Sequence, residues 1–171
     1  MILIGLGANL ASHAGSPATT IDAALAALEA SGVTVAARSP LYESEPVPRS
    51  DQPWFVNAVA RVETRLEPEG LLALLHEIER RFGRVRRERN EARPLDLDLL
   101  AYDDVVRVGG ALLLPHPRLH ERAFVLKPLA DVAPEWRHPI LARTAVELLS
   151  ALPEEVRRVV RLRSPSAAGR E

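Results

Sequence analysis

The hydrophobic period changes along the first 102 residues in an order that strongly restricts the fold. Ile2 to Ala8 is an apolar run suited to a buried strand. After a loop rich in Ser, Gly, Pro and Thr, Ile21, Leu25 and Leu28 recur at helical spacing until Gly32 stops the helix. Val33 to Tyr42 and Phe55 to Glu63 read as strands on either side of a Pro-rich loop. The second alternates Val56, Ala58, Ala60 and Val62 on one face with Phe55, Asn57 and Val59 on the other. Pro68 suits the first turn of another helix, whose stripe of Leu71, Leu75, Ile78 and Phe82 ends at Gly83. Pro94 to Tyr102 is the next strand. Strand, helix, strand, strand, helix, strand is the split pattern of a ferredoxin-like α+β domain, an antiparallel sheet packed by helices. A C-terminal helical extension follows. His116-Pro117 opens one segment, and Thr144-Ala-Val-Glu147 has the spacing of a capping box ahead of Leu148 and Leu149.

Composition bounds the function classes. With 171 residues, 47% of them hydrophobic, the chain is expected to form one domain over residues 1–163 with its own core, followed by a flexible tail from Ser164. The absence of Cys excludes disulfides, thiolate zinc sites and a cysteine nucleophile, which is compatible with a cytoplasmic location. The short apolar start lacks a preceding basic region, so it reads as a strand and not as a signal peptide, and no run approaches membrane-spanning length. A net charge of -1 points to neither nucleic acid nor membrane as partner, and no obligate protein partner is expected.

Two local constellations carry chemistry. In Leu95-Asp96-Leu97-Asp98-Leu99-Leu100 the period of two puts both carboxylates on one face of a strand. Adjacent like charges repel, so the pair persists most naturally around a cation, and hard oxygen ligands suit Mg²⁺ bound together with substrate phosphates. The alternative is a strand with one solvated polar face. The second constellation, Arg84-Val-Arg-Arg-Glu-Arg-Asn-Glu-Ala-Arg93, feeds guanidinium groups into the acidic strand, and such forks bind phosphate bidentately. Its alternatives are a solvated, salt-bridged loop or a nucleic-acid surface; the interleaved Glu88 and Glu91 and the lack of nearby aromatics weigh against the latter. His116 and His120 have the separation of two zinc ligands, yet no His-Glu-x-x-His occurs and no third ligand is evident. Gly5-Leu-Gly-Ala-Asn9 completes neither a dinucleotide fingerprint nor a P-loop.

Taken in order, these segments resemble the 6-hydroxymethyl-7,8-dihydropterin pyrophosphokinases from Gly5-Leu-Gly-Ala-Asn-Leu10 to Ala133-Pro134. The match includes Tyr42-Glu-Ser-Glu-Pro-Val, Gln52-Pro-Trp-Phe-Val-Asn-Ala58, Glu79, Gly83-Arg-Val-Arg86, Arg93-Pro-Leu-Asp-Leu-Asp98 and Leu114-Pro-His-Pro-Arg-Leu-His-Glu-Arg-Ala-Phe-Val125. The resemblance implies transfer of pyrophosphate from MgATP to the hydroxymethyl group of the reduced pterin in folate biosynthesis. It assigns two Mg²⁺ ions to Asp96 and Asp98, and ATP contacts to Glu79, Arg84, Arg93, His116 and Arg122. Arg84 and Arg93 join the two aspartates as catalytic residues, and Ser44, Val47, Phe55, Asn57 and Phe124 would form the pterin pocket. For the two Phe rings the alternative is ordinary core packing.

The chain departs from the best-known form of the family in several places. Asn90-Glu-Ala-Arg93 stands where a Trp-Gly-Pro-Arg segment is often found, in a loop one residue shorter that is expected to act as a lid over Arg86 to Ala92. Pro117 replaces a frequent Tyr, His76 a Gln and Glu45 a Pro. Two rival functions make distinct predictions. A non-catalytic ferredoxin-like module would bind nucleotide or pterin without releasing AMP, whereas a metal-dependent phosphoesterase would hydrolyse phosphate without any pterin.

Overall fold

The N-terminal apolar run forms β1 (Ile2–Ala8), which pairs antiparallel with β4 (Phe55–Glu63) on one side and with β5 (Asp96–Tyr102) on the other. The computed structural model describes residues 1–83 and 92–161. The sheet runs β5-β1-β4-β3-β6, where β3 is Tyr42–Ser44 and β6 is Val159–Arg161, and β2 (Thr34–Arg38) also pairs with β4. Every pairing is antiparallel, as expected for the ferredoxin-like α+β class. The tail expected from Ser164 lies outside the described residues.

The alternation along each strand divides the core in two. Ile4, Leu6, Ala58, Ala60, Leu97 and Leu99 face α1 (Pro17–Ala30) and α2 (Pro68–Arg81), packing on Ile21, Leu28, Leu71 and Ile78. Leu3, Val59 and Leu100 face α3 (Ala123–Val132) and α4 (Ala145–Ala151), packing on Leu126, Leu129, Trp136 and Leu148. Each buried Leu contributes about 1.5–3 kcal/mol by leaving water. The capping box at α4 is formed as its spacing predicts: Thr144 Oγ1 accepts from Glu147 N at 3.2 Å, and Glu147 Oε2 accepts from Thr144 N at 2.7 Å.

The strand expected over Val33 to Tyr42 is broken into β2 and β3. Pro40 has no N–H to give the ladder. Ser39 covers the interruption: its N–H donates to Val59 O at 2.9 Å, and its hydroxyl accepts from Val59 N at 3.0 Å while donating to Pro40 O at 2.8 Å. The segment opened by His116 begins with a 3-10 turn at Leu119–Glu121 before α3. Among the described residues no helix is long and apolar enough to cross a membrane.

Candidate active site

The glycines of β1 create the site. In register, Asn57 of β4, Gly7 of β1 and Asp96 of β5 form one row across the sheet, and Val59, Gly5 and Asp98 form the next. Residues in register share a face, and strands lie about 4.8 Å apart, so Asn57 and Asp96 stand about 10 Å apart across a position without a side chain. A Cβ on Gly7 would lie 3.4 Å from Asn57 Oδ1. The floor between the Asn57 amide and Asp96 is therefore bare backbone at Gly7, whereas a Cβ on Gly5 would meet the Leu100 side chain at 3.4 Å.

At the acidic end each aspartate has its own arginine, and each arginine its own ring. Arg93 lies 3.5 Å from Asp96 and over the Phe55 ring at 5.9 Å. Arg122 lies 3.7 Å from Asp98 and over the Phe124 ring at 5.6 Å. Burial first, then the charge of Asp96 beside it, pushes Asp98 up to about 7 against the pull of Arg122. A third of the Asp98 side-chain surface nevertheless stays accessible, so a cation can reach it. Arg93 Nε is shielded from solvent without a hydrogen-bond partner among the described residues, a spare donor where an anion is expected.

Glu79 is fully buried on α2, and its Oε1 accepts from Leu97 N at 2.8 Å, between the two aspartates. It thereby holds the outer edge of β5, where no further strand pairs among the described residues. Leu100 O, on the same strand, accepts from His116 N at 2.8 Å. The His116 Nδ1 accepts from Arg118 N at 3.2 Å, which places the proton of the neutral ring on Nε2. Burial, followed by the Arg122 charge, pushes the His116 imidazolium down to about 4, so the ring is a neutral donor near pH 7.

At the other end, buried Asn57 donates from Nδ2 to Ser44 Oγ at 2.8 Å. Phe55 and Phe124 are both partly buried, and Phe124 packs against the α3-side core while part of its surface stays accessible. Val47 is 62% exposed on the loop after β3. Arg84 and the expected lid over Arg86 to Ala92 fall outside the described residues, except Ala92 itself. Asn9 gave only a weak signal in the sequence, yet it is buried where three segments meet. Gly7 was visible merely as part of a Gly-rich turn, because its role depends on its partners across β4 and β5.

A family model described as 7,8-dihydro-6-hydroxymethylpterin-pyrophosphokinase matches residues 3–134. The chain is 45% identical over 155 residues to the 2-amino-4-hydroxy-6-hydroxymethyldihydropteridine pyrophosphokinase of Pseudomonas aeruginosa, covering 90% of this chain and 93% of that one. It is 38% identical over 148 residues to the folic acid synthesis protein fol1 of Schizosaccharomyces pombe, covering 86% of this chain but only 20% of that longer protein. Among solved structures, Plasmodium falciparum HPPK-DHPS has a TM-score of 0.64 at 16% identity, over 86% of this chain and 42% of that one, and shares the fold. The chain belongs to the 7,8-dihydro-6-hydroxymethylpterin-pyrophosphokinase family.

Proposed function

We infer that the protein transfers pyrophosphate from ATP to the hydroxymethyl group of 6-hydroxymethyl-7,8-dihydropterin, giving the pterin diphosphate and AMP. The observation that carries this is the row of Asn57, Gly7 and Asp96, which sets an amide about two strand spacings from a carboxylate pair. A flat bicyclic heterocycle spans that distance. Its polar edge meets the Asn57 carboxamide, which offers both a donor and an acceptor, and its faces lie against Phe55 and Phe124. Its hydroxymethyl group then reaches toward Asp96 and Asp98.

The residues fit a hard divalent cation. Two adjacent carboxylates share a face, and burial, followed by the charge of Asp96, raises the value of Asp98. Asp96 and Asp98 would hold Mg²⁺, two ions on our account, which when bound neutralises the polyphosphate and lowers the charge barrier to attack. The hydroxymethyl oxygen attacks the β-phosphorus in line. A bond forms between that oxygen and the β-phosphorus as the bond to the bridging oxygen of the α-phosphate breaks. AMP departs with the bridging oxygen and the hydroxyl proton is released. Arg93 and Arg122 meet the charge on the phosphate oxygens, and His116 donates from Nε2. Glu79 keeps β5 in place by holding Leu97 N. No residue is required as a strong base, because positioning and charge compensation supply most of such a reaction.

The test is AMP release from ATP and Mg²⁺ with and without the pterin. Release that depends on the pterin is expected. Binding of both ligands without AMP would instead indicate a regulatory module, and phosphate release independent of pterin a phosphoesterase.

A further inference from the structure

We propose that Asn9 is the positioning residue that couples occupation of the pterin pocket to the placement of Arg93. This rests on the pyrophosphokinase function inferred above. Asn9 follows β1 directly and is 3% exposed. Its side-chain amide is spent on two different segments. Oδ1 accepts from Arg93 N at 2.9 Å, while Nδ2 donates to Gln52 Oε1 at 3.2 Å and to Pro53 O at 3.1 Å. Its own backbone N–H and that of Leu10 donate to Arg93 O at 3.2 and 3.3 Å, so both polar backbone atoms of Arg93 are held from this one place.

The contacts close a circuit. Pro53 lies two residues before Phe55, whose ring sits 5.9 Å beneath the Arg93 guanidinium. Arg93 in turn pairs with Asp96. A pterin stacked on Phe55 fixes the end of the 45–54 loop, and the loop is tied through Asn9 to the backbone of the arginine that meets the phosphates. Each ligand then orders a segment that the other needs. Coupling of this kind is reciprocal and is commonly worth about five- to 150-fold in affinity. Carboxamide chemistry suits the junction, since only a side chain with both an acceptor and two donors satisfies an N–H, a side-chain oxygen and a carbonyl together.

The test measures, by calorimetry at pH 8, the dissociation constant of the pterin with and without a non-hydrolysable ATP analogue and Mg²⁺. The ratio of the two constants is the coupling. Asn9→Asp keeps the acceptor for Arg93 N–H and removes both donors. It is expected to cut the ratio by about tenfold, with kcat falling similarly and KM for ATP moving less. Gln52→Leu removes a single leg and is expected to lower the ratio by a smaller factor, and it decides the matter if Asn9→Asp does not fold. A purely structural role would weaken both single-ligand constants and leave the ratio unchanged. An unchanged ratio in the folded variants, or a ratio of one in the parent protein, overturns the proposal. A parent protein that binds both ligands but releases no AMP would instead refute the inferred function, and the coupling would still be measurable.

Discussion

At the residue scale the site is a compromise between charge and stability. Burial raises the cost of charging Asp98, and repulsion from Asp96 adds to it. Asp98→Asn removes one of the two charges while keeping shape. It is expected to abolish AMP production while raising stability without divalent cation by about 1 kcal/mol, measured by denaturant unfolding in EDTA. A variant that is active, or clearly less stable in EDTA, would remove the carboxylate pair from its assigned role. His116 makes a prediction about pH. Its folded value of about 4 lies below the unfolded value of about 6.5, so between these the unfolded chain binds more protons. Its contribution is complete above about pH 6.5 and is lost as the pH falls toward 4, by at most about 3 kcal/mol before discounting for its partial exposure. Asp98 works in the opposite sense over the same range, because its folded value is raised. The difference between parent and His116→Gln unfolding curves at pH 4 and 7 isolates the histidine; no difference would contradict the burial of a neutral ring. The aspartate pair and Arg93 stood out by residue type and spacing, whereas Arg122 was named only through the family resemblance. Asn9 did not stand out, since nothing local marks an amide whose partners lie more than 40 residues away.

Elements explain why the site is open in the middle. β1 places Gly7 on the face that β4 and β5 furnish with Asn57, Asp96 and Asp98, while the space above Gly5 is taken by Leu100. Gly7→Val fills that floor. Its expected effect is a loss of pterin affinity of about tenfold or more, with binding of a non-hydrolysable MgATP analogue changed less than about threefold. Equal loss of both would show that the row does not separate the two ligands. The edge of β5 gives a second prediction. Glu79→Ala strands a buried Leu97 N–H, which costs about 1–3 kcal/mol, whereas Glu79→Gln keeps an acceptor and is expected to retain most of that stability. Chemical denaturation of the two variants side by side checks this, and equal stability would contradict the role of the carboxylate as the edge acceptor. Most elements were readable from period alone. The break between β2 and β3 was missed because Ser39 replaces the ladder bond that Pro40 cannot make, a contact visible only with Val59 alongside. β6 escaped because two valines among arginines carry little periodicity, and its strand character depends on β3.

For the molecule as a whole, one sheet serves two cores. Helices α1 and α2 cover one face and α3 and α4 the other, so the strands are packed from both sides. The site lies on the α3 face, where Arg122 and Phe124 flank the start of the helix opposite Asn57, Asp96 and Asp98. The order of elements foretold the sheet and its class. It could not foretell that the second face would be closed by α3 and α4, because helical spacing gives an apolar stripe and not the surface it meets. The central claim is that this frame holds a pterin hydroxymethyl group in line with the β-phosphorus of ATP. It is tested most directly by a reaction limited to one equivalent of ATP, with the products identified by mass and ³¹P resonance. Equal amounts of AMP and diphosphorylated pterin are expected. ADP with a monophosphorylated pterin would mean attack at the γ-phosphorus, and free phosphate or pyrophosphate with unmodified pterin would mean hydrolysis; either would contradict the account.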